Sequence, residues 1–486
     1  MITPDLPERS YSTRLRTAVV LTGSGTAGAY HAGVLRALHE AGVKIDLVAG
    51  RGSGALSALF AAIDGGARLW DPSGVWKDRP ARQFYGWRPP LRATAYAALA
   101  AGLVLALPLA LLAAAVLTGL VGLLLALIGM EGAGTNLTAN FTAWIGRLFL
   151  PQALPTVVPR LVLFALLVGA AVLVSGAIAS HLRDPLRRRS RRGFLWRLIG
   201  APLSAESLVD RCTTDLWNLI RGAAPIAPPG RRDLARKYVE LLAENQGQPG
   251  FRELLLVVHD MDARRDLVFA HLSQHQRSRF FSRALQEAGG RHAEAFDLSG
   301  VARDHVIDAL SAALAVPLAS EPHLVQFSAE GPWRGEAHRL CDRPEALHRL
   351  IEEVGRAGVE QVILVSAAPP QGRAHELSAG RADLRGRAGE ELAAFEAACL
   401  RDVLEGFAGR FASLFLIRPA HNPLTPLDFG GVYDERSDRT QTVGELVDRG
   451  YEDAYRQFIE PIVGAGAEPA EPVQHVNGGQ PAPSRL

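Results

Sequence analysis

Between Ala18 and Ala62 the chain reads AVVLTGSGTAGAYHAGVLRALHEAGVKIDLVAGRGSGALSALFAA, two successive units of strand, tight glycine turn and helix. Ala18 to Leu21 is a short β-rich apolar run, and Gly23-Ser24-Gly25-Thr26-Ala27-Gly28 leads from it into a helix whose apolar side includes Val34, Leu35 and Leu38. Gly42 ends that helix. Asp46 to Ala49 makes a second strand, and Gly50-Arg51-Gly52-Ser53-Gly54 turns it into a second helix, Ala55 to Ala62, built of small and apolar residues. Glycine at this density serves a backbone that takes positive φ or passes close to another group.

Two chemistries use such turns. GSGTAG fits G-x-G-x-x-G, in which backbone N–H groups and a helix N-terminus hold the pyrophosphate of a dinucleotide. That use also asks for an acidic residue at the end of the second strand, whereas Asp46 stands at its start and its end runs into the second glycine turn. An acyl hydrolase employs both turns: the first supplies oxyanion-hole N–H groups and the second is a nucleophile elbow.

The stretch LTGSGTAGAYHAGVLRALHEAGVKIDLVAGRGSGAL resembles the opening of the patatin-like phospholipases, where a Gly-rich oxyanion loop, a helix beginning near GVL and a G-x-S-x-G elbow follow one another. The resemblance implies a three-layer α/β sandwich around a mainly parallel sheet, and lipid ester hydrolysis by a Ser–Asp dyad without metal or cofactor. It places the oxyanion hole at Gly23, Gly25, Thr26 and Gly28, and the elbow at Gly50, Gly52 and Gly54. The pattern breaks at the nucleophile, because Gly52 falls where the serine belongs, and without a hydroxyl no acyl-enzyme forms. Ser53 is the next residue; an elbow slipped to centre on it would put Arg51 where the turn takes a small side chain. Ala27 stands where the family often carries an arginine.

A chain of 486 residues has room for two or three domains, and 21% charged residues with a positive mean hydropathy point to membrane segments beside soluble structure. The net charge of +2 says little about partners, since nucleic-acid binding needs a concentrated basic face and none is expected here. Cys212, Cys341 and Cys399 are few and widely spaced, as reduced thiols in a cytosolic environment are. Residues 93–130 and 161–182 carry no charge, and each is at least as long as the roughly 20 residues that span a bilayer. Pro108 divides the first stretch, leaving one long kinked span or a hairpin of two. Flanking charge decides. Lys77, Arg79, Arg82, Arg88 and Arg92 precede the first stretch, and Arg183, Arg187, Arg188, Arg189, Arg191, Arg192 and Arg197 follow the second. Only Arg147 and Arg160 lie between. Both outer flanks are therefore expected in the cytoplasm, with a two-span hairpin inserted into the hydrolase-type domain, residues 131–159 on the far side and Trp144 near an interface.

Residues 1–16 lack the apolar core of a signal peptide and are expected as a tail. The first part of the patatin-like domain then covers 17–75, the hairpin 93–182, a basic linker 183–232, the second part 233–463, and a Pro-, Gly- and Ala-rich disordered tail 464–486. In the second part GFRELLLVVHDMDARRDLVFAHL reads as strand, turn, strand, with His259, Asp260 and Asp262 as turn residues in preference to a metal site. Val306 to Pro317 reads as a helix ended by proline. HRLCDRPEALHRLIEEVGRAGVEQVILVS resembles the family's run of strand, Asp signature, helix and strand; this puts Asp342 at the dyad position, with Arg343-Pro344 replacing two glycines. Capping the next helix is the other role open to Asp342. Asp64-Gly65-Gly66 spells the signature but follows the elbow helix at once, and Asp428 has no apolar strand leading into it. Val362 to Ser366 is a buried strand of parallel-sheet type, followed by a helix at Glu390–Gly406, a strand at Phe411–Arg418 and a helix at Val443–Val463. Three functions follow. The first is a membrane-tethered patatin-like protein that acts on or binds lipid esters at the cytoplasmic membrane face with its Ser–Asp chemistry lost or impaired. The second is an active lipid acyl hydrolase using Ser53, and the third a dinucleotide-binding membrane protein.

Overall fold

The computed structural model describes residues 11–183, 200–282, 288–370, 372, 380–407 and 409–464; residues 465–486 of the expected C-terminal tail, most of the N-terminal tail and residues 184–199 of the linker lie outside them. The chain divides into two compact units, one of Met1–Phe84, Ser207–Val316 and Val325–Leu486, the other of Tyr85–Glu206 and Pro317–Leu324.

The first unit opens with the two strand-turn-helix repeats: β1 (Thr17–Thr22), α1 (Ala27–Glu40), β2 (Leu47–Gly50) and α2 (Ser53–Ala62). Helices α3 (Glu206–Arg221) and α4 (Arg231–Glu244) follow, then a hairpin of β3 (Glu253–Asp260) and β4 (Arg265–His271), and β5 (Ala295–Asp297). The chain continues through α5 (Val306–Ala313), β6 (Ala337–Cys341), α6 (Ala346–Arg356), β7 (Gln361–Ser366), α7 (Leu384–Phe407), β8 (Ser413–Ile417) and α8 (Val443–Ala454). The sheet runs β8-β7-β1-β2-β3-β4-β5. Its centre, β8 to β3, is parallel; β4 and β6 each pair antiparallel with β3. Alternation along a strand sends successive side chains to opposite faces. Accordingly Ala18 and Val20, Leu47 and Ala49, and Leu255 and Val257 share one face, on which α6 and α7 bury Leu350, Ile351, Leu400 and Val403. Val19, Leu21, Val48 and Leu256 on the other face are equally buried, and α2 packs against β1, β2 and β3. Thr442 and Glu445 close a capping box at the start of α8. The expected helix at Val443–Val463 leaves α geometry at Tyr455 and continues in wider turns to Val463.

In the second unit Pro108 does not divide the first apolar stretch: one helix runs Pro89–Leu127. The segment expected as a far-side connection is itself a helix, Glu131–Leu148, and a third helix runs Leu154–Arg183. Small residues set the contacts. Thr94 Oγ1 donates to the Gly169 carbonyl at 3.2 Å, and Gly122 and Gly134 pass so closely that a Cβ on Gly134 would lie 2.5 Å from the Gly122 carbonyl. Pro89–Leu127 and Leu154–Ala179 are long and apolar enough to cross a membrane, with only 6% of each apolar window covered by protein.

Candidate functional site

Between β1 and α1, Gly23 to Thr26 form a loop over the C-terminal edge of the sheet, and between β2 and α2 the whole turn is Arg51 and Gly52. Gly52 has φ 57° and ψ −137°, a region that costs a side-chain-bearing residue of order 1–3 kcal/mol. Gly50 and Gly54 flank the turn where strand and helix cross, and a Cβ on Gly54 would meet the Leu21 carbonyl at 2.0 Å. The apex of the turn is Gly52. Ser53 is one residue into α2, fully buried, and its Oγ donates to the Gly23 carbonyl at 2.9 Å.

Asp342 follows β6 and is 1% exposed, its amide bonded to the Ala315 carbonyl at 2.9 Å. It does not cap the next helix, which starts at Ala346 with Glu345 at the cap position and no side-chain capping bond. Arg343 pairs with Glu345 instead. The Asp342 carboxyl faces the elbow, within bonding reach of the Gly52 amide, with Ser24 Oγ at 2.6 Å and Arg51 Nη1 at 3.3 Å. The other aspartates raised by the sequence lie elsewhere. Asp64 lies two residues beyond the end of α2, at φ 54°. Asp428 accepts from the Thr425 amide and hydroxyl and pairs with Arg381. In the β3–β4 turn, His259 pairs with Asp266, Asp260 with His338 and Asp262 with Arg339. No cluster fit to hold a metal occurs among the described residues. Asp46 receives the Thr17 amide at 2.9 Å and so braces β1 against β2.

Arg51 fills the space behind the elbow. Its side chain is 1% exposed; Nε donates to Thr22 Oγ1 at 3.0 Å, Nη1 reaches Asp342 and Nη2 reaches Glu396 Oε1 on α7 at 2.6 Å. One cation thus faces two buried carboxyls. Burial raises the pKa of both Asp342 and Glu396 against the opposing pull of Arg51. Ser24 Oγ lies 2.6 Å from Asp342 Oδ2 and 2.7 Å from Glu396 Oε1, yet a hydroxyl has one proton to give. A second proton must sit on a carboxyl. Glu396 Oε1 also receives the Ser24 amide at 2.8 Å and Arg51 Nη2, and Asp342 receives Arg51 Nη1, so one proton is shared between the two carboxyls through Ser24.

The oxyanion loop is occupied by the chain itself. The Thr26 amide donates to the Pro426 carbonyl at 3.0 Å, Thr26 Oγ1 donates to the Thr425 carbonyl at 2.9 Å, and the Ser53 amide donates to the Gly23 carbonyl at 2.9 Å. Gly25 permits this approach, since a Cβ there would lie 1.8 Å from the Pro426 oxygen. Gly28 lies against the Trp76 ring. His31, behind the loop, is fully buried and its pKa is pushed down to about 3, so it is neutral, with Nε2 3.1 Å from the Thr22 carbonyl. Residues 425–428 are themselves strapped by Arg381 on Asp428 and by Arg385 Nε on the Leu427 carbonyl at 2.8 Å. The Thr26 amide, one of the loop donors that a hydrolase would aim at a developing oxyanion, is therefore already bonded.

A family model described as patatin-like phospholipase matches residues 19–342, from the first strand to the aspartate beside the elbow. The chain belongs to the patatin-like phospholipase family. No curated protein matches it. Among solved structures, the crystal structure of VipD from Legionella pneumophila aligns with 96% of this chain and 71% of its own at 13% identity, with a TM-score of 0.29. The turn between β2 and α2 carries Gly52 at its apex and Arg51 before it. Ser24, Glu396 and Pro426 join the site in the structure without a sequence motif that marks them. A charged Arg51 inside a glycine turn was the one available signal, because a buried arginine requires an acid somewhere.

Proposed function

We propose that this chain is a membrane-tethered patatin-like protein that engages lipid esters at the cytoplasmic membrane face and has lost Ser–Asp acyl hydrolase activity. The observation that carries the loss is Gly52 at the elbow apex. The bonded Thr26 and Ser53 amides and the Arg51–Asp342 contact agree with it. The two apolar helices, each exposed along its length, and the excess of arginine on the outer flanks support the tether. For the dinucleotide alternative, the close approach that Gly25 allows is taken by Pro426, where a phosphate would have to sit.

Two hydroxyls remain near the acid. Ser53 donates to Gly23, and Ser24 is 1% exposed between two carboxyls, where further negative charge is disfavoured. The test is treatment of the full chain in detergent with a fluorophosphonate probe and with short-chain p-nitrophenyl esters. Neither labelling nor turnover is expected. Labelling that maps to Ser53 or Ser24 and vanishes in Ser53→Ala or Ser24→Ala would mean the chain is an enzyme.

A further inference from the structure

The opposite edge of the same sheet gathers a second set of polar groups. Ala18 stands beside Leu47 and Leu47 beside Glu253 in parallel register, so the residues that enter these strands, Arg16, Asp46 and Arg252, share one edge. His271 ends β4, opposite Leu254, and returns to that edge. Together with Lys44 and Glu253 these four line a groove of about 830 Å³, inside the range of roughly 300–1,000 Å³ typical of small-molecule sites. The groove lies at the N-terminal ends of the parallel strands, away from the elbow at their C-terminal ends.

Two buried polar atoms there lack partners among the described residues. His271 is 2% exposed; its Nδ1 is 2.9 Å from Ser299 Oγ, while Nε2 is buried with nothing to bond. Arg16 sends Nη2 to Glu253 and leaves Nε buried and unpaired. Native interiors rarely leave such groups orphaned. Burial holds the His271 pKa down to about 4, so the ring is neutral near pH 7. The charges are unevenly spent. Arg16 neutralises Glu253, and Lys44 neutralises Asp46 at 3.4 Å. Arg252 gives Nη1 to the Ala61 and Gly250 carbonyls at 2.6 and 3.3 Å; it forms no ion pair within 4 Å among the described residues, although the Asp64 carboxylate lies near enough to act on its charge.

One unspent guanidinium suits one anionic group, and two neutralised carboxylates suit hydroxyl donors. We propose that this groove binds a polyol phosphate, with Arg252 on the phosphate and Asp46 and Glu253 accepting from hydroxyls. The ligand is either a free polyol phosphate or the glycerophosphate headgroup of a membrane lipid. The site stands independently of whether the elbow is active.

The experiment is calorimetry of the full chain in phosphatidylcholine nanodiscs, titrated with glycerol 3-phosphate. Saturable binding at one site is expected, weakened about tenfold or more by Arg252→Gln and by Lys44→Ala. Repeating the titration in discs containing phosphatidylglycerol separates the sources: a headgroup ligand competes and lowers the apparent affinity, whereas a free ligand binds equally in both discs. Either result supports the site. Absence of saturable binding in phosphatidylcholine discs, or an affinity unchanged in the variants, overturns it. Arg252 also bonds two carbonyls, so Lys44→Ala, on a half-exposed side chain, decides the matter if Arg252→Gln fails to fold.

Discussion

A serine placed at position 52 would put a hydroxyl at the apex of the turn, yet the surroundings of Gly52 leave little space for it. A Cβ there would lie 2.4 Å from the Gly23 carbonyl oxygen and 2.8 Å from Asp342 Oδ2, on a backbone at φ 57°. Strain at such a φ/ψ costs about 1–3 kcal/mol, and crowding against backbone adds about 1–3 kcal/mol, so Gly52→Ser loses about 2–6 kcal/mol. Gly42→Ala separates the two terms: Gly42 has φ 65° with nothing within 4 Å of its Cβ position, leaving only the left-handed penalty of about 1–2 kcal/mol. One kcal/mol moves Tm by roughly 2 °C in a domain of this size. Gly52→Ser should therefore melt roughly 4–12 °C below wild type and Gly42→Ala roughly 2–4 °C below. Scanning fluorimetry of the full chain in detergent reads the shift, and fluorophosphonate labelling of the same sample reads reactivity, for which none is expected. A Gly52→Ser protein that melts with the wild type and carries the probe on residue 52 would refute both the crowding and the occupied oxyanion loop.

Arg51→Leu strands two buried acids and should cost roughly 3–5 kcal/mol, whereas adding Glu396→Leu to it should cost less than the sum of the single changes; additive melting shifts would sink the shared network. The raised pKa values of Asp342 and Glu396 mean that the folded chain holds more protons than the unfolded one from about pH 4 up to those raised values. Stability from the pair is therefore complete below that window and falls as pH rises through it, and Asp342→Asn should flatten the fall; equal slopes for variant and wild type in urea titrations would count against a proton shared by the pair. The histidines act in the opposite sense. His31 and His271, held to about 3 and about 4, stabilise the fold above about pH 6.5 and lose that contribution as pH falls toward those values, so His271→Asn should lessen acid sensitivity. For topology, reporters fused after Tyr85 and Gly200 should both read cytoplasmic and one after Asn140 should not; opposite sides for the outer pair would exclude a hairpin.

The strand, turn and helix order of residues 17–62 was legible because hydrophobic period, glycine placement and chain length all agree there. Asp342 could be placed beside the elbow by its position after a strand and before a helix. Its partners could not. Glu396 sits mid-way along a helix whose other charges are mostly solvated, and nothing in its neighbours distinguishes it from them until the helix is laid across the elbow. Pro426 acts through a carbonyl oxygen, which every residue has. The helix at Glu131–Leu148 was missed because Thr, Asn and Gly dominate its first turns, residues whose intrinsic preference is against helix, while its contact with the first helix at Gly122 depends on their small size.

These departures form one connected set. A hydrolase's buried acid is satisfied in part by the nucleophile's hydroxyl; without that hydroxyl the carboxyl needs another partner or a proton. Arg51 and Ser24 supply the partner, and the shared proton balances the charge. Arg51 then holds Glu396, which ties α7 to the elbow. Arg385, on the same helix, and Arg381 just before it hold the 425–428 segment, whose Pro426 carbonyl takes the Thr26 amide. The Asp342 carboxyl and the Thr26 amide are thus both bonded from within the chain, and α7 carries Glu396 and Arg385, which join the two contacts. Gly52→Ser combined with Arg51→Gly should consequently remain unlabelled by fluorophosphonate, because the Pro426 carbonyl still occupies Thr26, and labelling of that double variant would show that the segment over the loop does not hold it shut.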